Sequence, residues 1–171
     1  MKNRIAIALA IALACIAITP TSHAATSDNP YGASTVDPAG PNEIIFTVAK
    51  GKKVQSFTIG RLNKFKTSTI SIYEPFVKKR QTFTVIPIKT FFTLVGITAN
   101  DKVSTIALND YVYNSTAKKF LDANTYVAIK RNGLDIPYDQ GGPLRLVYAD
   151  NSSWANSLDS WNWSLEKIVV K

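Results

Sequence analysis

The sequence predicts an α+β fold: one domain built on a mostly mixed or antiparallel sheet, with a few short helices. Three observations lead there. Runs rich in Val, Ile, Thr and aromatic residues recur from residue 43 to the end, each closed by Gly, Pro, Asn or Asp. Helical periodicity is confined to short segments between them. No strand–helix–strand alternation runs through the chain, and no internal repeat is present.

Taken in order, residues 1–24 have the pattern of a signal peptide. Lys2 and Arg4 form a basic start, residues 5–18 are apolar, and Ser22-His23-Ala24 offers small residues to a peptidase, so cleavage is expected after Ala24. The apolar run of about 14 residues falls short of the roughly 20 that span a bilayer. Lipidation of Cys15 is the alternative, since Leu13-Ala14-Cys15 resembles a lipoprotein box. Residues 25–41 are rich in Ser, Thr, Asn, Gly and Pro and predict a flexible lead-in to a domain over 42–171.

Residues 43–49 and 54–59 pair as a hairpin around Lys50-Gly51-Lys52-Lys53. Residues 62–65 form one helical turn, 67–73 a strand of alternating Thr and Ile that Pro75 ends, and 81–86 another strand. After Pro87, Ile88, Phe91, Phe92 and Val95 repeat at helical spacing and stop at Gly96. Strands follow at 103–108, 126–129, 144–148 and 165–170, with a helical turn at 116–121.

Charge and side-chain inventory then restrict the chemistry. The formal net charge of +8 falls, with Lys2 and Arg4 of the leader removed, to +6. Export argues against nucleic acid as the partner of this basic surface, and the lysines are scattered as on a solvated face. Cys15 and His23 are the only residues of their kind in the chain. Beyond residue 24 there is therefore no thiolate nucleophile, no imidazole base, and no thiolate or imidazole metal ligand.

The most specific text is residues 126–147, YVAIKRNGLDIPYDQGGPLRLV. Together with residues 83–97 and the turn Ala107–Tyr111, it resembles the oxidoreductase molybdopterin-binding domain of the sulfite oxidase family. The resemblance covers residues 43–171 and implies that family's mixed sheet with short helices. Family enzymes ligate molybdenum through a cysteine that would fall near residues 69–74, and Gln140 stands at the position of a cofactor histidine. A soft thiolate has no substitute among Ser71, Tyr73 and Glu74, so no molybdenum is expected.

What the resemblance leaves is a slot for a pterin, a flat ring with a donor–acceptor edge that needs stacking faces and aligned polar groups. It implies that Arg145, Gln140, Asp110 and Tyr111 contact the ligand, with Tyr73 and Glu74 in place of the cysteine's neighbourhood. Ser160, Trp161 and Trp163 precede the last strand; on a strand, Trp161 and Trp163 would share one face and Ser160 and Asn162 the other. Trp154, an apolar ring in a polar run, is a lid or stacking candidate. The alternatives for these residues are structural: tryptophans that plug the core, an Arg145 paired with an Asp, and an Asp110 that serves its own turn.

The chain resembles a cysteine-less branch of this fold, small periplasmic pterin-binding proteins. These partner membrane-bound enzymes that make or degrade cyclic di-GMP. That implies a non-catalytic ligand-binding protein whose partner is the periplasmic domain of an inner-membrane diguanylate cyclase or phosphodiesterase. A molybdopterin oxidoreductase without the cysteine ligand, and a scaffold with a vestigial pocket, are the other expectations.

Overall fold

Nine strands form two sheets in the computed structural model, which describes residues 30–171. The leader, its cleavage point and Cys15 lie outside the described residues. Strands β1 (Phe46–Lys50) and β2 (Lys53–Phe57) make the expected hairpin, turning at Gly51 with φ 56°. Strand β9 (Leu165–Val170) lies parallel to β1, and β5 (Lys102–Ala107) and β6 (Val112–Thr116) complete the first sheet in the order β2-β1-β9-β5-β6. The second sheet is antiparallel throughout. It runs β3 (Ser68–Glu74), β4 (Lys79–Pro87), β7 (Tyr126–Arg131), β8 (Arg145–Val147). The mixed α+β class stands, with its strands divided over two sheets instead of one.

The helices follow their sequence signals. Helix α1 (Ile59–Leu62) is capped by Thr58, whose hydroxyl accepts from the Arg61 N–H, and α3 (Ala117–Asp122) is capped by Thr116 in the same way. Helix α2 (Ile88–Val95) buries Ile88, Phe91, Phe92 and Val95 and closes at Gly96, whose φ of 75° lets its N–H and that of Ile97 reach the last carbonyls. No described helix is long and apolar enough to cross a membrane.

Two clusters of buried side chains follow from alternation along the second sheet. Ile86, Val127, Ile129 and Leu146 face the first sheet and α2. Ile72, Phe83, Val85, Ala128 and Val147 face the other way, and the cover there is made of connecting chain: Ile136, Tyr148 and Trp161. A sheet face covered by loops carries buried polar groups more readily than one covered by a second sheet, because loops bring unpaired carbonyls and N–H groups. This outer face holds the candidate site.

Strand β6 has no counterpart in the sequence reading. Its residues, VYNST, are mostly polar and only partly covered, so the apolar alternation that marks a half-buried strand is missing. A second correction concerns residues 160–163, which are not on a strand. Leu158–Ser160 is a 3-10 turn and β9 begins only at Leu165. Ser160 and Asn162 are both buried: the Ser160 hydroxyl donates to the Ser157 carbonyl at 2.7 Å, and the Asn162 amide donates to Thr105 Oγ1 at 3.2 Å. The Ser160 bond is local and competes with ladder pairing, while the Asn162 bond ties the segment to β5.

Candidate functional site

Strand β3 ends at Glu74 because Pro75 has no N–H to continue the ladder. Alternation turns Ile72 and Glu74 inward and Tyr73 outward, half exposed, with its backbone N–H donated to Asp150. Tyr73 therefore lies on the face opposite Glu74. Glu74 Oε2 accepts from the Val77 N–H at 2.8 Å, which shapes the turn into β4. Its Oε1 accepts from Arg145 Nη2 at 2.9 Å, and both side chains are fully buried. The partner of Arg145 is thus Glu74 rather than an aspartate.

Arg145 is the centre of the arrangement. Its guanidinium lies 4.1 Å from the Trp163 ring centroid, Nη1 donates to the Tyr31 hydroxyl at 3.0 Å, and Nε has no hydrogen-bond partner among the described residues. Three further orphan atoms lie on this side of the sheet. The Trp163 Nε1–H is buried and unpartnered, and so are both amide atoms of Gln81, which precedes Phe83 by two on β4 and so shares its face. Buried polar atoms cost roughly 1–3 kcal/mol each when unsatisfied, so a cluster of them on one face marks a place where a polar ligand gains.

Arg131, at the end of β7, supplies a second buried guanidinium. It donates to the Gln140 side-chain oxygen and, at 3.4 Å, to the Gln140 carbonyl, and it stacks 4.1 Å from the Tyr31 ring centroid. Burial, reinforced by the like charge of Arg145, pushes the Arg131 pKa down from its ordinary value, while Tyr31 and Glu74 oppose that shift. One carboxylate and two guanidiniums leave the slot formally positive.

Gln140 is in turn fixed by the 3-10 turn Tyr138–Gln140, which Pro137 opens and Gly141 closes at φ 81°. Its Nε2 donates to the Gly32 carbonyl at 3.0 Å. The two glycines that follow are required for space. A Cβ on Gly141 would stand 2.8 Å from Trp163 Cε3, and one on Gly142 would stand 1.9 Å from the Ile136 carbonyl oxygen.

Beside this slot opens a cleft of about 310 Å³, lined by Phe76, Asn109, Tyr111, Leu158, Asp159, Trp161 and Trp163. Trp163 is common to cleft and slot, and the Phe76 ring meets it edge-on at 4.7 Å. Tyr111 is held by its hydroxyl, which donates to the Asp159 carbonyl at 2.8 Å, and burial with the Asp159 charge pushes its pKa up. Trp161 is nearly covered and both plugs the outer core and shows an edge to the cleft, its Nε1–H shared between the Trp154 and Ala155 carbonyls.

Of the sequence candidates, Glu74, Gln140, Arg145, Trp163, Trp161 and Tyr111 converge on cleft and slot. Ser160 lies behind them, where its carbonyl accepts from the Tyr148 hydroxyl. Three stand apart. Tyr73 faces away, and Asp110 is exposed in a left-handed turn at φ 62° between β5 and β6, outside the cleft lining. Trp154 is wedged edge-on among Tyr113, Phe120 and Tyr148, a packing role and not a lid.

Arg131, Tyr31, Gln81 and Phe76 were not read from the sequence. Arg131 sits beside a turn, where a cation ordinarily means solvent. Tyr31 carries the signal that singled out Trp154, an aromatic ring in a polar run.

With these elements placed, the architecture can be set against solved structures. The chain shares its fold with a sulfane dehydrogenase. That protein, SoxCD from Paracoccus pantotrophus, is similar at a TM-score of 0.58 and 10% identity, over 82% of this chain and 45% of that one. The chain thus spans less than half the length of that relative, and the likeness is one of fold. No family model matches the sequence, and no curated protein does.

Molybdenum, which the sulfite oxidase resemblance implies, does not fit the donors present. The stretch 69–74 offers hydroxyls and one carboxylate, and that carboxylate is committed to Arg145 and Val77. The organic half of such a cofactor does fit. Aromatic rings line the cleft at Trp163, Phe76 and Tyr111, and unpartnered polar groups belong to Arg145, Trp163 and Gln81.

Proposed function

We propose that this protein binds a pterin without catalysing a reaction on it. The ring lodges against Trp163 with its acceptor edge toward Arg145, and the aromatic cleft takes the remainder. The observation that carries this reading is the meeting, at one tryptophan, of an aromatic cleft and a buried guanidinium with an unsatisfied Nε–H. A cleft of about 310 Å³ is at the small end of the roughly 300–1,000 Å³ of ligand sites, a size for one bicyclic ring. Arg145 supplies in-plane donors to a ring carbonyl or an anionic substituent, and the positive slot attracts the latter.

The reading continues outside the cytoplasm. The leader pattern of residues 1–24 supports a periplasmic mature protein, and the resemblance to pterin-binding regulators supports, as partner, the periplasmic domain of an inner-membrane cyclic di-GMP enzyme. Pterin occupancy then acts on that partner through different affinities for its two states. Tryptophan emission of the purified protein, titrated with reduced and oxidised pterins, tests the binding step. Saturable quenching is expected, because Trp161 and Trp163 line the site. Absence of quenching across the panel overturns the reading.

Two other readings each have one observation behind them. The fold shared with a dehydrogenase favours an oxidoreductase, for which stoichiometric molybdenum in protein isolated from the periplasm would be decisive. The buried pairing of Glu74 with Arg145 favours a scaffold. In that case Arg145→Ala and Trp161→Ala would change stability and leave ligand affinity unmoved.

A further inference from the structure

The segment before the first strand is tied across the slot. The Tyr31 ring lies 4.1 Å from the Arg131 guanidinium and meets Trp163 edge-on at 5.8 Å, while its hydroxyl oxygen accepts from Arg145 Nη1 at 3.0 Å. Three residues on, the chain is anchored again. Asp139 accepts from the Ser34 hydroxyl at 2.8 Å and from the Thr35 N–H at 2.9 Å, and the Gly32 carbonyl accepts from Gln140 between the two. No strand or helix runs through residues 30–41, and these side-chain contacts tie the segment to the slot.

A flat ring stacked on one guanidinium, beside a tryptophan, with an oxygen on a second guanidinium, is what the slot would ask of a planar heteroaromatic ligand. Resting on the reading of this site as a pterin site, we propose that Tyr31 is an intramolecular stand-in for the ligand's ring. A pterin then reaches Arg145 only by displacing it. The strap 31–35 is the gate of the site, and its release is the conformational signal of occupancy. Displacement exchanges one set of contacts for a similar one, so the gate lowers apparent affinity without closing the site. The apparent Kd is raised by the reciprocal of the open fraction.

The test compares wild type with Tyr31→Ala and Tyr31→Phe, each checked for folding by circular dichroism, using pterin-6-carboxylate for affinity and p-cresol as a free phenol side chain. Removing the competitor should tighten pterin-6-carboxylate by about tenfold in Tyr31→Ala, as expected for a strap closed nine-tenths of the time, and by less in Tyr31→Phe. p-Cresol should raise the Tm of Tyr31→Ala and leave that of wild type unmoved. Equal pterin affinity in all three proteins overturns the gate while leaving the pterin reading intact. No effect of p-cresol on Tyr31→Ala overturns the shared ring subsite. Rescue by p-cresol with no pterin binding to any of the three overturns the pterin reading and the gate with it. Should Tyr31→Ala fail to fold, an unchanged affinity in Tyr31→Phe overturns the gate by itself.

Discussion

Replacing Glu74 by Gln tests how far the site depends on one buried carboxylate. Glu74 takes two donors, the Arg145 Nη2–H at 2.9 Å and the Val77 N–H at 2.8 Å, through its two oxygens. Glutamine keeps the shape but has one acceptor, so one of those donors must face an amide NH₂. The substitution also removes the anion that opposes the positive charges of Arg131 and Arg145, with Arg145 fully buried and bound to that carboxylate. Breaking a buried pair from one side costs about 3–5 kcal/mol. Against a total stability on the order of 5–15 kcal/mol, that brings the domain close to unfolding. Urea denaturation reads the loss directly, as a fall in midpoint at constant slope. The double variant Glu74→Gln with Arg145→Met should lose less than the two single variants summed, because the second change removes the stranded charge. A Glu74→Gln protein within about 1 kcal/mol of wild type, or strict additivity in the cycle, would refute the account of the pair.

Other consequences concern neighbouring groups. Gly141→Ala forces a side chain into φ 81° with its Cβ 2.8 Å from the Trp163 ring. It should cost about 2–3 kcal/mol in urea denaturation and shift tryptophan emission as the ring gives way. Tyr138 donates to Glu43, and burial together with that hydrogen bond pushes its pKa from 10.0 up to about 12. Its folded-state value is the higher one, so the stability it contributes is complete below pH 10.0 and declines as pH rises toward about 12. Ultraviolet titration of the phenol alongside urea midpoints measures both. Asp139 is held below its ordinary 3.8, first by the Thr35 N–H and then by the Ser34 hydroxyl. The contribution is therefore present above pH 3.8 and lost as pH falls through the depressed value. Hydrogen exchange at Thr35 should accelerate there if the strap is tied as described.

The elements that sequence made legible are those with local causes. Helix α2 follows from four apolar residues at helical spacing between Pro87 and Gly96, and the β1–β2 hairpin from the Gly51 turn. Strand β6 was hidden because its polar residues lack the alternation that marks a strand, and the path of residues 158–163 because it depends on a distant partner: Asn162 bonds Thr105 across 57 residues of chain. The site divides in the same way. Glu74, Gln140, Arg145 and the late tryptophans came from motif positions, but the Glu74–Arg145 pairing spans 71 residues and no local pattern encodes it. Tyr73 and Glu74 are neighbours on a strand and cannot share one face, a fact of period two that was available from sequence. Tyr31 lies in a segment with turn composition, and its ring was placed only by the contacts it makes with Arg131 and Arg145.

The central claim is that this fold holds a pterin and no metal. A mass spectrum of the small molecules released from protein purified anaerobically from the periplasm, with molybdenum measured on the same sample, tests it most directly. The account predicts one pterin-sized species in stoichiometric amount and molybdenum at background. Stoichiometric molybdenum, or no pterin released from protein that also fails to take one up when offered, would contradict it.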